Sequence, residues 1–386
     1  MNTPTPQSLT IAQLLVSDGA ACLIIKAQFQ PVGGQDRIQP AGFPEMGHVI
    51  YDAPRVDDKG DPTESEKVCI VDSAASMANH LETLCFVNPA AGILHTDLNG
   101  LPYVRCVTDR NYRTENGVLV LDPQDRHDRA VVSTLTEGHR LASDYFLDAQ
   151  RNGASFREIL RRGFGIVEIK KDKTYFITPE NWWTIYGTIF RYDPNSLVHG
   201  VLFAKEQIKI SRLLTAHLEA YGAARVGSAG VKFDRLGKTT SGQPIFSKDE
   251  ETAHRIEAIF LIDLGLLRSY GHDDAGLNGT QKRLLLELAL WKVQRMLATP
   301  FRFRSGCHLR CVNRRYTTDD ETVILNPDAY GLNIRAAIQA CNFGENPVTD
   351  VYYPANELFN PQTAPEVATA ETGAGAVEEE NEQQEA

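Results

Sequence analysis

The chain has 386 residues, 42% hydrophobic and 23% charged, with a formal net charge of −11. That length supports a large core or two domains, and the balance is that of a globular chain. No apolar run is long enough to span a bilayer, the seven cysteines are odd in number and scattered, and the start MNTPTPQSLT has no basic stretch leading into an apolar core. A cytoplasmic chain without signal peptide or membrane partner is therefore expected. From Pro361 onward there are seven Glu and no Lys or Arg, so the rest carries −11 + 7 = −4. A wholly basic surface is excluded, and any nucleic-acid site must be a local groove.

In chain order, Ser8 to Val16 predicts a short helix capped by Ser8, and Ala20 to Pro31 a strong strand ending at proline. Val32 to Gly47 is a long loop with four glycines and two prolines. Within it Arg37, Gln39 and Phe43 offer a nucleotide a cation, an amide and a stacking ring. A surface loop with one solvated arginine reads as well here. Asp52 to Lys67 is a polar, acidic excursion. Lys67 to Ser73 predicts a short strand, and Asp72 or Ser73 caps a helix carrying Met77, Leu81 and Leu84 on one face. Ser73 and Ser76 add hydroxyls to the free N–H groups a helix start offers a phosphate, although an ordinary capped helix is the commoner case.

Val87 to Pro194 reads as an elaboration, with a helix over Thr134 to Ala149. Phe156 to Gly163 predicts a helix, followed by a strand. Arg157, Arg161, Arg162, Lys170, Lys171 and Lys173 form the densest basic patch of the first half. They are either cations suited to a helix C-terminus or a surface for RNA or a neighbouring subunit. Trp182 and Trp183, read as strand neighbours, face opposite sides, which puts one at the surface or an interface.

Leu197 to Ala204 predicts a buried strand, and Ile208, Ile210, Leu213, Leu214 and Leu218 a helix running to Tyr221. The glycine-rich turn Gly227 to Gly230 lets the backbone approach an anion, with Lys232 and Arg235 just beyond. Thr252 to Leu267 predicts a helix with a broad apolar face, and Thr280 to Ala298 the clearest helix of the chain. Phe301 to Tyr316 alternates as a strand or hairpin arm. Its Arg302, Arg304, Arg310, Arg314 and Arg315 interleave with Phe301, Phe303 and Tyr316, a pattern that suits RNA and equally a solvated strand face. The acidic, low-complexity end is expected to be disordered.

No phosphate-loop, HExxH or GxSxG motif is present. Cys307, His308 and Cys311 are a partial metal set without a second pair, so core cysteines are expected, and neither metal nor cofactor. His127, in the run DPQDRHDR, and His199 are candidate general acids or bases for RNA cleavage. A packed, hydrogen-bonded histidine is the commoner case.

Three stretches in this order carry a resemblance: RIQPAGFPEMG (Arg37 to Gly47), CIVDSAASMANHLE (Cys69 to Glu82), and LVHGV followed by GSAGVKFDR. They resemble the backbone RAMP subunit of type I-G (formerly I-U) CRISPR effector complexes, the Csb branch of the Cas-seven superfamily, over roughly Ser8 to Tyr353. The resemblance implies an α+β, modified RNA-recognition-motif (ferredoxin-like) RAMP fold with large insertions. It implies one RAMP domain over 8–360, with a core of 8–86 and 196–345, an insertion of 87–195 and a disordered tail of 361–386. It implies a non-catalytic subunit in antiviral defence that oligomerises along CRISPR RNA in a Cascade-type complex and presents the guide to target DNA. The implied partners are copies of itself, a large subunit, a fused Cas-five/Cas-six-type subunit and a recruited helicase-nuclease. Arg37, Gln39, Ser73, Ser76, Asn79, Arg161, Arg162, Lys232, Arg235, Arg302 and Arg304 are the RNA-binding candidates. Arg37, Ser73, Ser76, Lys232 and Arg235 are expected along one path on the guide backbone. One turn into the helix, where the superfamily often carries Lys or Arg, this chain has Asn79 and His80. The alternative is a RAMP-family endonuclease that processes guide RNA with His127 or His199. A third reading is an oligomeric scaffold without RNA.

Overall fold

The strand β1 (Cys22–Pro31) sets the pattern of the main sheet. Leu23, Ile25, Ala27 and Phe29 are buried, whereas Lys26, Gln28 and Gln30 are exposed. A period of two places one set on the core face and the other on the opposite face, and each fully buried Leu, Ile or Phe contributes about 1.5–3 kcal/mol. The structure is a computed structural model. It describes residues 10–16, 20–43, 46–57, 59–89, 92–108, 112–115, 118–121, 129–169, 174–228, 249–272, 274–319 and 332–358.

Six more strands complete this sheet. They are β2 (Ile50–Ala53), β3 (Glu66–Asp72), β4 (Leu214–Tyr221), β5 (Arg255–Asp263), β6 (Phe301–Arg304) and β7 (Cys307–Thr318). The seven-stranded order is β6-β7-β1-β5-β4-β3-β2, and every pairing is antiparallel. Helix α1 (Ala74–Thr83) follows β3, and helix α2 (Gly279–Ala298) lies between β5 and β6. Asn278 and Gln281 close a capping box at the start of α2, which satisfies two of its orphan N–H groups.

Between α1 and β4 lie helices Phe156–Phe164, Asn181–Tyr192 and Pro194–His199, then a hairpin of Val201–Phe203 with Ile208–Ile210. A five-stranded sheet joins Tyr103–Thr108 in parallel with Val348–Tyr352. The chain divides into two units: 1–107 with 130–352, and 108–129 with 353–386. Among its described residues the second unit holds the hairpin Tyr112–Glu115 with Val118–Leu121 and the short helix Ala355–Leu358.

Five sequence expectations are corrected. The segment expected as a helix over Ile208 to Tyr221 forms the strand Ile208–Ile210 and β4. Leu214, Ala216, Leu218 and Ala220 are buried in alternation, and partners on both sides satisfy the backbone. The helix expected over Thr252 to Leu267 is instead β5, strictly alternating, followed by the helix Leu264–Ser269. The strand expected over Leu197 to Ala204 is the end of the helix Pro194–His199, a turn at Gly200 and a short strand. Trp182 and Trp183 sit in the first turn of a helix, so strand alternation does not separate them, and both are half-buried. The helix expected over Thr134 to Ala149 shrinks to two short turns, Arg140–Ala142 and Asp144–Leu147. Ser8, the acidic end, Lys170, Lys171, Lys173 and the run holding His127 lie outside the described residues.

Candidate nucleic-acid interface

Strand β3 ends at Asp72, and Ser73 caps α1 by accepting from the Ser76 N–H at 3.2 Å. Asp72 is 1% exposed. It accepts from the Ser73 N–H at 3.0 Å, from His80 Nε2 at 2.9 Å and from Arg304 Nη2 at 3.0 Å. Burial alone would raise the Asp72 carboxyl. The hydrogen bond from His80 and the charge of Arg304 outweigh it and hold the group below its ordinary value.

Arg304 also donates to the Val71 carbonyl at 2.8 Å and the Gln39 carbonyl at 3.4 Å. His80 meets the rings of Phe301 and Phe303 edge-on, both at 5.4 Å. Gln39 donates its backbone N–H to the Gly306 carbonyl at 3.1 Å. Gly306 has a φ of +76°, and a Cβ there would come within 2.9 Å of the Gln39 Cβ, so the turn needs glycine. The loop after β1, the start of α1 and the β6–β7 turn are thus tied together. Gln39, Ser73, Ser76 and Arg304, distant in sequence, meet there.

Around this cluster most charges are matched. Arg37 is exposed and pairs with Glu250 at 2.9 Å. Gln39 reaches His48 at 3.2 Å, and His48 and Arg225 both reach the buried Glu251, at 3.1 and 3.2 Å. Phe43 bridges back to Gly47. Arg302 is exposed and donates to Ser305 at 2.9 Å, and Asn79 is exposed on α1.

Arg161 and Arg162 make none of these contacts. Arg161 donates to Glu206 at 2.7 Å and lies 4.5 Å over the Tyr175 ring. Arg157 pairs with the exposed Asp144 and Asp148 and with the buried Glu206. Arg162 is exposed on the same helix. Lys232 and Arg235 lie outside the described residues. Among the described residues no three His, Cys, Asp or Glu side chains gather as a metal would require. Cys307 is buried, and burial pushes its thiol up to about 12.

The open face of the main sheet carries residues that the sequence did not single out together. In the β1–β7 register Lys26 lies opposite Arg315, Gln28 opposite Asn313 and Gln30 opposite Arg310. All six are exposed. Like charges directly opposite each other destabilise a sheet, and among the described residues neither Lys26 nor Arg315 has an acidic partner. Alternation within β1 and β7 was the available signal. The register that brings their cations together was not.

A family model described as CRISPR-associated protein GSU0053 matches residues 23–225, more than half of the 386. The chain belongs to that family. No curated protein matches it. Among solved structures, a chain of "CRISPR RNA-guided surveillance complex, pre-nicking" is similar at 11% identity and a TM-score of 0.30, over 83% of this chain and 86% of that one. The family match ends at Arg225, so it contains β1, β3, α1 and β4, while β5, α2, β6 and β7 follow it. In this CRISPR-associated chain the loop–helix–turn cluster therefore draws on both sides of that limit.

Proposed function

We propose that the chain is a non-catalytic guide-RNA-binding subunit, several copies of which line a CRISPR RNA in a Cascade-type effector complex. Membership of a CRISPR-associated family supports this, and so does the element order β1-α1-β4-β5-α2-β7 with spatial order β7-β1-β5-β4. That is the ferredoxin-like split βαβ arrangement, the core of the RNA-recognition motif, here enlarged by the long segment between α1 and β4. The observation that carries the reading is Lys26 directly opposite Arg315 on the open sheet face. Two unmatched cations held against each other are relieved by an anion, and a phosphate backbone supplies one. Ser76 at the capped start of α1 adds a neutral donor, and Arg37 and Arg302 are exposed cations on the segments tied to it. Target DNA is then read by pairing with the guide, and the large subunit, the fused Cas-five/Cas-six-type subunit and a helicase-nuclease complete the assembly.

The test is titration of the chain with a labelled guide-length RNA over a range of salt. Lys26→Ala with Arg315→Ala should weaken binding about tenfold and reduce the salt slope by about 1.4, at roughly 0.7 per cation on a single strand. Unchanged affinity and slope would overturn the reading.

The endonuclease reading has one observation in its favour. His199 lies 3.0 Å from Lys292 Nζ and lines a cation-bearing cleft. Its side chain is wholly buried, and burial together with the Lys292 charge holds it well below its ordinary value. A neutral ring whose side chain is wholly buried is a poor proton shuttle. Cleavage of repeat RNA, abolished by His199→Ala in a folded protein, would favour this second reading.

A further inference from the structure

A cleft of about 760 Å³ opens where the helix Pro194–His199 gives way to the hairpin before β4. Five cations line it: Arg140, Arg157, Lys205, Lys209 and Arg212. Two are matched internally. Arg140 forms a bidentate pair with Glu82 at 2.7 and 2.8 Å, and Arg157 is held by Asp144, Asp148 and Glu206. Asp144 is the acidic side chain among the lining residues, and that pairing occupies it. Lys205 and Lys209 are exposed and Arg212 is half-buried. None of these three has an ion pair or hydrogen bond among the described residues.

The floor points the same way. His199 is 0% exposed, and its Nε2 faces the Lys292 ammonium at 3.0 Å. Lys292 donates, so the ring proton sits on Nδ1, and Nδ1 has no partner among the described residues. A buried donor left unpaired costs about 1–3 kcal/mol. Arg212 is held below its ordinary value by burial and by the Arg140 charge beside it, so the cleft crowds positive charge. The geometry of the walls is fixed: Gly200 takes a φ of +79°, and Arg140 donates to its carbonyl at 3.3 Å. Leu202, 58% exposed at the lip, and Val201 and Ile210 add apolar surface. The volume exceeds one inorganic ion and suits a nucleotide-sized ligand.

We infer that this cleft is a second anion site, taking a phosphodiester segment of single-stranded nucleic acid on Lys205, Lys209 and Arg212. It is distinct from the cluster at Ser73. That cluster lies at the start of α1, whereas Glu82, which holds Arg140, lies at its end, and the ten residues of α1 span about 15 Å. A strand contacting both sites would be held at two points along its backbone, which fixes its path without reading its sequence. The choice of nucleic acid as the source of the phosphate rests on the function proposed above.

The full chain is titrated with labelled RNA and with labelled DNA of the same length. Separately, inorganic pyrophosphate is tested for protection of Lys205 and Lys209 from amine acylation, with the exposed Lys59 as the reference. Lys205→Ala, Lys209→Ala and Arg212→Ala together should weaken binding at least about tenfold near 0.1 M salt and lower the salt slope by about 2. Thermal stability should not change, and the charge-keeping set Lys205→Arg, Lys209→Arg, Arg212→Lys should retain binding. A loss in the RNA arm alone assigns the site to the guide, and a loss in the DNA arm alone to the target strand. Unchanged affinity and slope in the alanine variant, with the parent binding normally, would overturn the inference and leave the proposed function standing. Lys205 and Lys209 as reactive as Lys59 under pyrophosphate would also overturn it. If the parent binds no RNA while pyrophosphate protects both lysines, the proposed function falls and the anion site stands.

Discussion

Asp193 is wholly buried, accepts from the Ser196 hydroxyl at 2.6 Å, and leaves its other oxygen without a partner among the described residues. Burial pushes its carboxyl up to about 6. Because the folded value lies above the unfolded one of about 3.9, the folded state binds the extra proton between the two. The stability from that proton is fully present below about pH 4 and is lost as pH rises through about 6. Asp193→Asn keeps the acceptor for Ser196 and removes the ionisation. The variant should gain on the parent from pH 4 to pH 7 by on the order of 2–3 kcal/mol, read by urea denaturation at several pH values. A constant difference across that range would count against the burial argument. Asp72 has the opposite sign. Its folded value is depressed, so its contribution is present above about pH 4 and is lost as pH falls through the lower folded value. Asp72→Asn should cost about 2 kcal/mol or more at neutral pH, because Arg304 is left without its charge partner. The gap to the parent should close as the solution is acidified towards pH 2.

At the scale of elements, Gly200 separates two readings of one stretch. Read as sequence, Leu197 to Ala204 is a run of apolar residues around a glycine, and such a run fits a strand or a buried helix alike. In the structure Leu197, Val198 and His199 close a helix and Gly200 turns the chain into a hairpin, with a φ of +79° and a ψ of 155°. An added Cβ would come within 2.8 Å of the Ile210 carbonyl oxygen. Gly200→Ala should therefore cost about 2 kcal/mol or more. In a regular strand the same change would be neutral or slightly stabilising, so a thermal melt at or above the parent's would contradict the helix–hairpin arrangement. The same ambiguity explains β4 and β5. Leu214 and Leu218 are four apart, a spacing that serves a helix and an alternating strand equally, and only the partners β3, β5 and β1 decide between them. Where one period dominated, local pattern was enough. The alternation in β1, the cap at Ser73 and the helix predicted over Thr280 to Ala298 all stand where the residues placed them. Arg304 was legible as a cation in an aromatic-interleaved strand but not as the partner of Asp72. That pairing joins segments more than two hundred residues apart, and no local spacing encodes it.

For the whole molecule, charge is the controlling quantity. The chain carries −11, of which seven negative charges lie beyond Asn360. A nucleic-acid strand approaching an acidic protein is repelled at long range, and a groove holds it only where local cations outweigh that field. The exposed cations on β1, β7 and the hairpin before β4 provide such local fields, while Arg37, Arg157, Arg161 and Arg304 are each matched by a carboxylate. Removing the residues after Asn360 takes the net charge to −4 and leaves every one of these cations in place. Non-specific RNA affinity should then rise several-fold at about 0.05 M salt and converge with that of the full chain near 0.5 M, where the screening length falls below about 5 Å. The difference should be the same for RNAs of unrelated sequence, since phosphate repulsion carries no sequence information. Thermal stability should be unaffected, because the seven like charges come with no apolar periodicity to bury. The check is a pair of salt titrations, full chain against truncated chain, with melts of both. Equal affinities at low salt would show that the acidic end does not contribute to the field at the groove, and a large drop in melting temperature would show that it is part of the fold.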